Sequence, residues 1–200
     1  TGEGVGTINH SEKKEHEHSD HCDHSTSSDP HIWLDPIRAV QIVENIIVSF
    51  EKKEPSNKNF RVRGDSLKNE LIELDKEIVN QLTPLKNRTI VSGGHFAFSY
   101  FVERYNLNQI SPFSSFSPDA EPSPKAVAKI ITTIKNKGYK AIYFEELVNP
   151  RVAKTIAKET GVKLLLLHGA HNVTLNELKS GIGYIEIMRG NISRIVDGLK

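Results

Sequence analysis

The sequence is poor in cysteine, in net charge and in long apolar runs. It has one cysteine, Cys22, so an intramolecular disulfide framework is excluded and the redox compartment stays undecided. The 26 basic and 25 acidic residues give a formal net charge of +1, so no global field attracts nucleic acid or an anionic membrane. No run approaches the roughly 20 apolar residues of a membrane-spanning helix. We therefore expect an ordinary globular chain that binds no nucleic acid.

Residues 1–28 have almost no large apolar side chain and are rich in His, Glu, Asp, Ser and Lys. Such a segment cannot bury enough surface to offset the entropy of ordering, which predicts a mobile loop. Its candidate metal donors are His16, His18, His21, Cys22, Asp23 and His24. Nitrogen and sulfur donors suit zinc, but their spacing matches no closed structural site. We predict that the four histidines bind metal weakly; a solvated polar tail or part of an expression tag is the alternative.

Two amphipathic helices are predicted after this segment. Asp35 is placed to cap a helix and Pro36 to occupy its first position. Apolar residues at intervals of three and four over 40–50 indicate that this helix ends before Pro55. A narrow apolar stripe over 67–82 indicates a second helix, which lies on a surface or connects two bodies.

The remaining sequence alternates short apolar runs with helical spacing. The predicted strands are 89–92, 109–113, 141–144 and 163–167, and the predicted helices are 96–105, 124–137, 150–160 and 184–199. This alternation is typical of an α/β fold, here a mainly parallel four-stranded sheet with helices on both faces. Ligands of such sheets approach the carboxyl ends of the strands.

Several histidines are predicted to lie at that edge of the sheet. His95 follows the first predicted strand and opens a helix, whose positive end keeps an imidazole neutral and able to bind metal. His168 and His171 follow the last strand and should share the same rim. His31 precedes the first helix, and Glu145 ends the third strand. Taken singly, each is more often a packing, capping or ion-pairing residue than a ligand.

The segment 29–36, Asp-Pro-His-Ile-Trp-Leu-Asp-Pro, resembles the hallmark of the zinc and manganese solute-binding proteins of ABC importers. The preceding histidine-rich loop strengthens the resemblance, as do four further segments. They are 94–96, 121–125, 144–145 and 157–159. The resemblance covers nearly the whole chain.

The resemblance implies two α/β lobes that are joined by a long helix, with the metal between them. It divides the chain into a mobile loop (1–28), a remnant of the N-terminal lobe (29–56), a connector helix (57–86) and a C-terminal lobe (87–200). The implied function is that of a periplasmic or cell-surface monomer, not an enzyme, that delivers Zn²⁺ to the membrane permease of an ABC importer. Because the first lobe and its histidine ligand should precede Thr1, the chain is expected to be a fragment.

Carried over by motif, the resemblance implies His31 and His95 as zinc ligands. The family's last ligand, usually Asp or Glu, lies in the loop that here contains His168 and His171. His171 aligns better, and His168 and Glu145 stay open as alternatives. The resemblance favours zinc over manganese, because manganese-selecting members tend to have a carboxylate at the position of His95. Nitrogen ligands favour zinc on chemical grounds too.

Two other functions compete with import. A zinc hydrolase would also keep an open coordination position beside a general base such as Glu145, but the sequence has no HExxH helix. A metal buffer or sensor would use the histidine-rich segment as its main site.

Overall fold

The computed structural model describes residues 4–7, 29–94, 96–113, 122–147 and 149–200. Of the predicted mobile loop, only residues 4–7 are described, and they form neither helix nor strand. The order of the other residues of that loop stays a prediction, because they lie outside the described part of the chain.

The described residues form seven α-helices, four β-strands and one 3-10 turn. The 3-10 turn is Ile32–Leu34, and the strands are β1 (Thr89–Val91), β2 (Asn108–Ile110), β3 (Ala141–Phe144) and β4 (Lys163–Leu166). The helices are α1 (Pro36–Lys53), α2 (Asn59–Leu82), α3 (Ser99–Arg104), α4 (Pro124–Lys137), α5 (Arg151–Thr160), α6 (Leu175–Ser180) and α7 (Tyr184–Leu199). The predicted α/β class is confirmed.

All observed strand pairs are parallel. Strand β1 pairs with β2, and β3 pairs with β4. A single parallel bridge between Ser92 and Tyr143 joins the two ladders, and the N–H of Gly93 donates to the carbonyl of Tyr143 at 2.8 Å. The described strands therefore form two two-stranded sheets, β1-β2 and β3-β4, joined by one bridge at the carboxyl end of β1, and not the continuous four-stranded sheet that the sequence predicts.

Helices pack on both faces of these strands, as predicted. Because side chains alternate along a strand, Ile90 and Tyr143 join one apolar cluster with residues of α2, α3 and α7. Val91 and Ile142 join a second cluster with residues of α4 and α5. In the described part of the chain, no helix combines the length and apolar character that a membrane span requires.

Helices α1 and α2 confirm the two helices that the sequence predicts. Oδ1 of Asp35 accepts the N–H groups of Ile37 and Arg38 at 2.9 and 3.4 Å, which caps α1. Burial raises the pKa of Asp35 despite these bonds and the nearby charge of Arg104. Helix α2 lies within the predicted connector 57–86, although the division into lobes stays a prediction.

Helix α6 was not predicted from the sequence. Its first turn is a capping box in which Glu177 Oε2 accepts the N–H of Thr174 at 2.7 Å and Thr174 Oγ1 accepts the N–H of Glu177 at 3.2 Å. The Thr-x-x-Glu spacing is the signal that could have located this helix. It was missed because the helix has only six residues, none of which is buried, so its apolar spacing is too short to indicate a helix.

We predict that Gly93→Ala destabilises the fold, whereas Gly94→Ala does not. A Cβ at Gly93 would lie 2.5 Å from Cβ and 2.7 Å from Cα of Ala153 in α5, whereas a Cβ at Gly94 meets nothing within 4 Å. The added methyl group would push α5 away from the end of β1, and such overpacking should lower the free energy of unfolding by about 1–3 kcal/mol. Urea denaturation of both variants measures the difference, and equal stabilities would contradict this account of the packing.

Candidate metal centre

His31 is held by a buried carboxylate at the start of the 3-10 turn. Oδ1 of Asp29 accepts the backbone N–H of His31 at 2.9 Å and lies 2.7 Å from its Nδ1. Burial raises the pKa of Asp29, but the hydrogen bonds from His31 outweigh it, so the pKa lies below its ordinary value. A proton on Nδ1 that faces the carboxylate puts the imidazole lone pair on Nε2, the arrangement found in metal-binding histidines.

Trp33 brings this turn to a loop that is distant in sequence. Its Nε1–H donates to the carbonyl of Gly169 at 2.9 Å, and the hydroxyl of Tyr184 donates to the carbonyl of Trp33 at 2.7 Å. The indole also contacts two imidazoles, with ring centroids 5.4 Å from His31 and 6.5 Å from His171. The structure therefore places both of these predicted ligands next to one aromatic ring.

The backbone of the loop after β4 is hydrogen-bonded to a buried side-chain amide. Asn191 of α7, which is fully buried, accepts the backbone N–H of His168 and donates to its carbonyl, both at 2.8 Å. The N–H of Gly169 donates to Oε2 of Glu146 at 2.7 Å. The loop backbone is thus held by side chains of two different elements.

His168 and His171 occupy different environments in this loop. The His168 side chain is 4% exposed, and its Nδ1 accepts the N–H of Ala170 at 3.0 Å. Its Nε2 is buried, 3.6 Å from Oε1 of Glu177. The His171 side chain is 38% exposed, with its Nδ1 3.5 Å from Oε1 of Glu146. Of the two, only His171 is accessible to an ion that approaches from solvent.

Two adjacent carboxylates after β3 reach different neighbours. Oε1 of Glu145 accepts the N–H of Ala97 at 3.2 Å, which ties it to the segment after the first strand. Glu146 is buried between the histidine loop and its own strand end. Sequence reasoning considered Glu145 and missed Glu146; two successive acids at the end of a buried strand were the available signal.

His95 and the four histidines of the auxiliary site, His16, His18, His21 and His24, lie outside the described residues. Around His95 the structure describes Gly94, whose carbonyl accepts the hydroxyl of Ser92 at 3.0 Å, and Phe96, which is buried. Within the described part of the chain, no three His, Cys, Asp or Glu side chains are grouped to hold a metal. The ligand set His31, His95 and His171 therefore stays a prediction; in the structure, His31 and His171 each lie next to the Trp33 indole.

The fold is that of a solute-binding protein. The sequence model of the family described as ZnuA, zinc-uptake complex component A, periplasmic, matches residues 1–198. The chain belongs to this family. The predicted resemblance is thus confirmed, and the family is a component of an uptake system, not an enzyme.

Among curated relatives, the zinc-binding protein AdcA of Streptococcus pyogenes serotype M3 is 41% identical over 197 residues, which cover 96% of this chain and 38% of that protein. The high-affinity zinc uptake system protein ZnuA of Bacillus subtilis is 35% identical over 176 residues, covering 88% and 54% respectively. The chain thus spans about half or less of the length of these relatives.

Two solved structures show the same fold. The metal-dependent lipoprotein YcdH from Bacillus subtilis has a TM-score of 0.80 and 30% identity, and the match covers 99% of this chain and 68% of that one. The Zn(II)-bound ZnuA-like domain of Streptococcus pneumoniae AdcA has a TM-score of 0.73 and 34% identity, covering 86% and 64%.

We predict that Asn191→Ala loosens the histidine loop. It leaves the buried N–H and C=O of His168 without the amide that pairs them, and an unsatisfied buried group costs about 1–3 kcal/mol. The free energy of unfolding should fall by about 2–4 kcal/mol, and hydrogen exchange of the His168 amide should accelerate. Asn136→Ala, on the exposed face of α4, is the control. Similar effects of the two substitutions would disprove the anchoring role of Asn191.

Proposed function

We propose that this chain is the zinc-capturing part of an extracytoplasmic solute-binding protein that delivers Zn²⁺ to the membrane permease of an ABC importer. The observation that carries the proposal is the pair His31 and His171, which contact the same Trp33 indole. In each ring Nδ1 faces a buried carboxylate, at 2.7 Å for His31 and 3.5 Å for His171. This orientation directs Nε2 of both rings to metal binding.

The donor chemistry supports zinc over manganese. Imidazole nitrogen suits zinc, whereas manganese prefers carboxylate, carbonyl and water oxygen. His95 is the proposed third ligand, on the ground of the family motif that it matches. Three protein nitrogens with water would satisfy tetrahedral zinc. The names of the relatives, a zinc-binding protein and a zinc uptake system protein, agree with this cargo.

The remaining parts of the proposal follow from the family. Residues 29–56 belong to a first lobe, 57–86 form the connector and 87–200 form the second lobe, so that the metal lies between lobes. The protein acts as a monomer in the periplasm or at the cell surface. Its partner is the permease.

The first test compares zinc affinities of the whole 200-residue chain. His31→Ala and His171→Ala should each lower the affinity by more than about 100-fold, beyond the 10–100-fold typical of groups that only support a ligand. His95→Ala should have a similar effect. Competition against a chromogenic zinc chelator measures the affinities, and a parallel titration with Mn²⁺ should give much weaker binding.

His168→Asn is the matched control for these variants. The amide oxygen of Asn can replace Nδ1 of His168 as acceptor for Ala170, while Nε2 is removed. Tight zinc binding should therefore persist. If His168→Asn abolished it and His171→Ala did not, His168 would be the ligand and the proposed site would be wrong.

The histidine-rich segment gives a second test. Deletion of residues 10–24 should reduce the number of zinc ions bound at high concentration but leave the tighter site intact, since a flexible segment loses entropy when it wraps an ion. Calorimetry separates the two classes of site. Loss of the tight site on deletion would instead identify the segment as the primary site and the protein as a metal buffer.

A further inference from the structure

Glu146 is a buried carboxylate whose two oxygens have unequal roles. Oε2 accepts the N–H of Gly169 at 2.7 Å. Oε1 has no hydrogen-bond partner among the described residues, yet it lies 3.5 Å from Nδ1 of His168 and 3.5 Å from Nδ1 of His171. A buried acceptor without a donor is costly. One of these two imidazoles is therefore the natural candidate to supply the missing proton donor.

His168 cannot supply it in its neutral form. Its Nδ1 already accepts the N–H of Ala170 at 3.0 Å, so this nitrogen carries the lone pair and the proton is on Nε2. His171 has no such constraint in the described structure. Protonation of its Nδ1 would satisfy Glu146 and would place the His171 lone pair on Nε2.

In the Asp29–His31 pair, the corresponding carboxylate and Nδ1 are already at hydrogen-bond distance. There the carboxylate oxygen and Nδ1 are 2.7 Å apart, against 3.5 Å for Glu146 and His171. A shift of less than one ångström would make the two pairs equivalent.

Gly169 provides the space for this approach. A Cβ at residue 169 would lie 2.6 Å from Nδ1 of His171 and 3.4 Å from Oε1 of Glu146. The absent side chain therefore leaves open the volume in which the imidazole and the carboxylate meet.

We infer that Glu146 is a positioning residue for zinc capture: it accepts the Nδ1 proton of His171 and so holds Nε2 toward the metal. The inference rests on the proposed role of His171 as a ligand. Glu146 itself does not touch the ion.

Glu146→Gln is the decisive variant, because Gly169 fixes the orientation of the new amide. The Gly169 N–H requires the amide oxygen at the Oε2 position, so the NH₂ group must replace Oε1. An NH₂ group donates to Nδ1 of His171 instead of accepting from it, which favours a proton on Nε2. Zinc affinity at pH 8, above the ordinary imidazole pKa of about 6.5, should fall about 10–100-fold.

Nitrogen NMR of the metal-free chain reports the tautomer directly. In the wild-type chain the His171 signals should show a protonated Nδ1, and in Glu146→Gln they should show a protonated Nε2. The free energy of unfolding, measured with urea, should change little because the bond to Gly169 is kept. Glu159→Gln, an exposed carboxylate of α5, should alter neither zinc affinity nor the tautomer.

A double-mutant cycle separates this inference from the proposed function. In a His171→Ala background, Glu146→Gln should have no further effect on zinc affinity, since its action passes through that ring. An equal loss in both backgrounds would show that Glu146 acts by another route and would overturn the inference. If His171→Ala did not weaken binding, the ligand assignment itself would fail.

Gly169→Ala gives an independent test, because its methyl group would obstruct the approach of the His171 imidazole to Glu146. It should reproduce the loss of zinc affinity, and unchanged affinity would also contradict the inference.

Discussion

The hydrogen bond from the Trp33 indole to the carbonyl of Gly169 is the contact on which the candidate site depends. It joins two segments that are 136 residues apart in sequence, and the same indole contacts His31 and His171. An indole has one donor and a broad apolar face, so it can donate to a backbone carbonyl and pack against imidazole rings at once.

Around this indole, two imidazoles share one pattern: in each, Nδ1 lies next to a buried carboxylate. Asp29 supports His31, and Glu146 lies behind His171. Burial of a carboxylate without a partner is unfavourable, which gives each acid a strong preference for a donor. Motif and loop position predicted the histidines, whereas the structure adds the acids next to their Nδ1 atoms.

Much of the fold was predictable because its signals are local. Asp35 and Pro36 mark the start of α1, and the alternation of apolar runs with helical spacing indicates parallel strands. The bridge between Ser92 and Tyr143 was not predictable, since strand periodicity does not state where pairing ends. Helix α6 escaped prediction for a related reason: its stability at the first turn comes from Thr174 and Glu177 rather than from an apolar face.

The candidate site was predictable in part. The positions of His31 and His171 follow from motif and from the rule that loops after parallel strands meet at one edge. His168 and His171 differ in their hydrogen bonds, because Nδ1 of His168 accepts the N–H of Ala170. The sequence does not indicate which imidazole accepts this bond. Glu146 was missed for the same reason, because burial distinguishes it from Glu145 and the two are adjacent identical residues.

The two acids at the end of β3 bind neighbouring segments through backbone amides: Glu145 binds Ala97 and Glu146 binds Gly169. Every residue except proline offers such an amide. Side chains elsewhere in these two segments can therefore change in the course of evolution while the segments keep their place. A rim built in this way can exchange a carboxylate ligand for an imidazole without refolding, so metal preference can diverge within an unchanged scaffold.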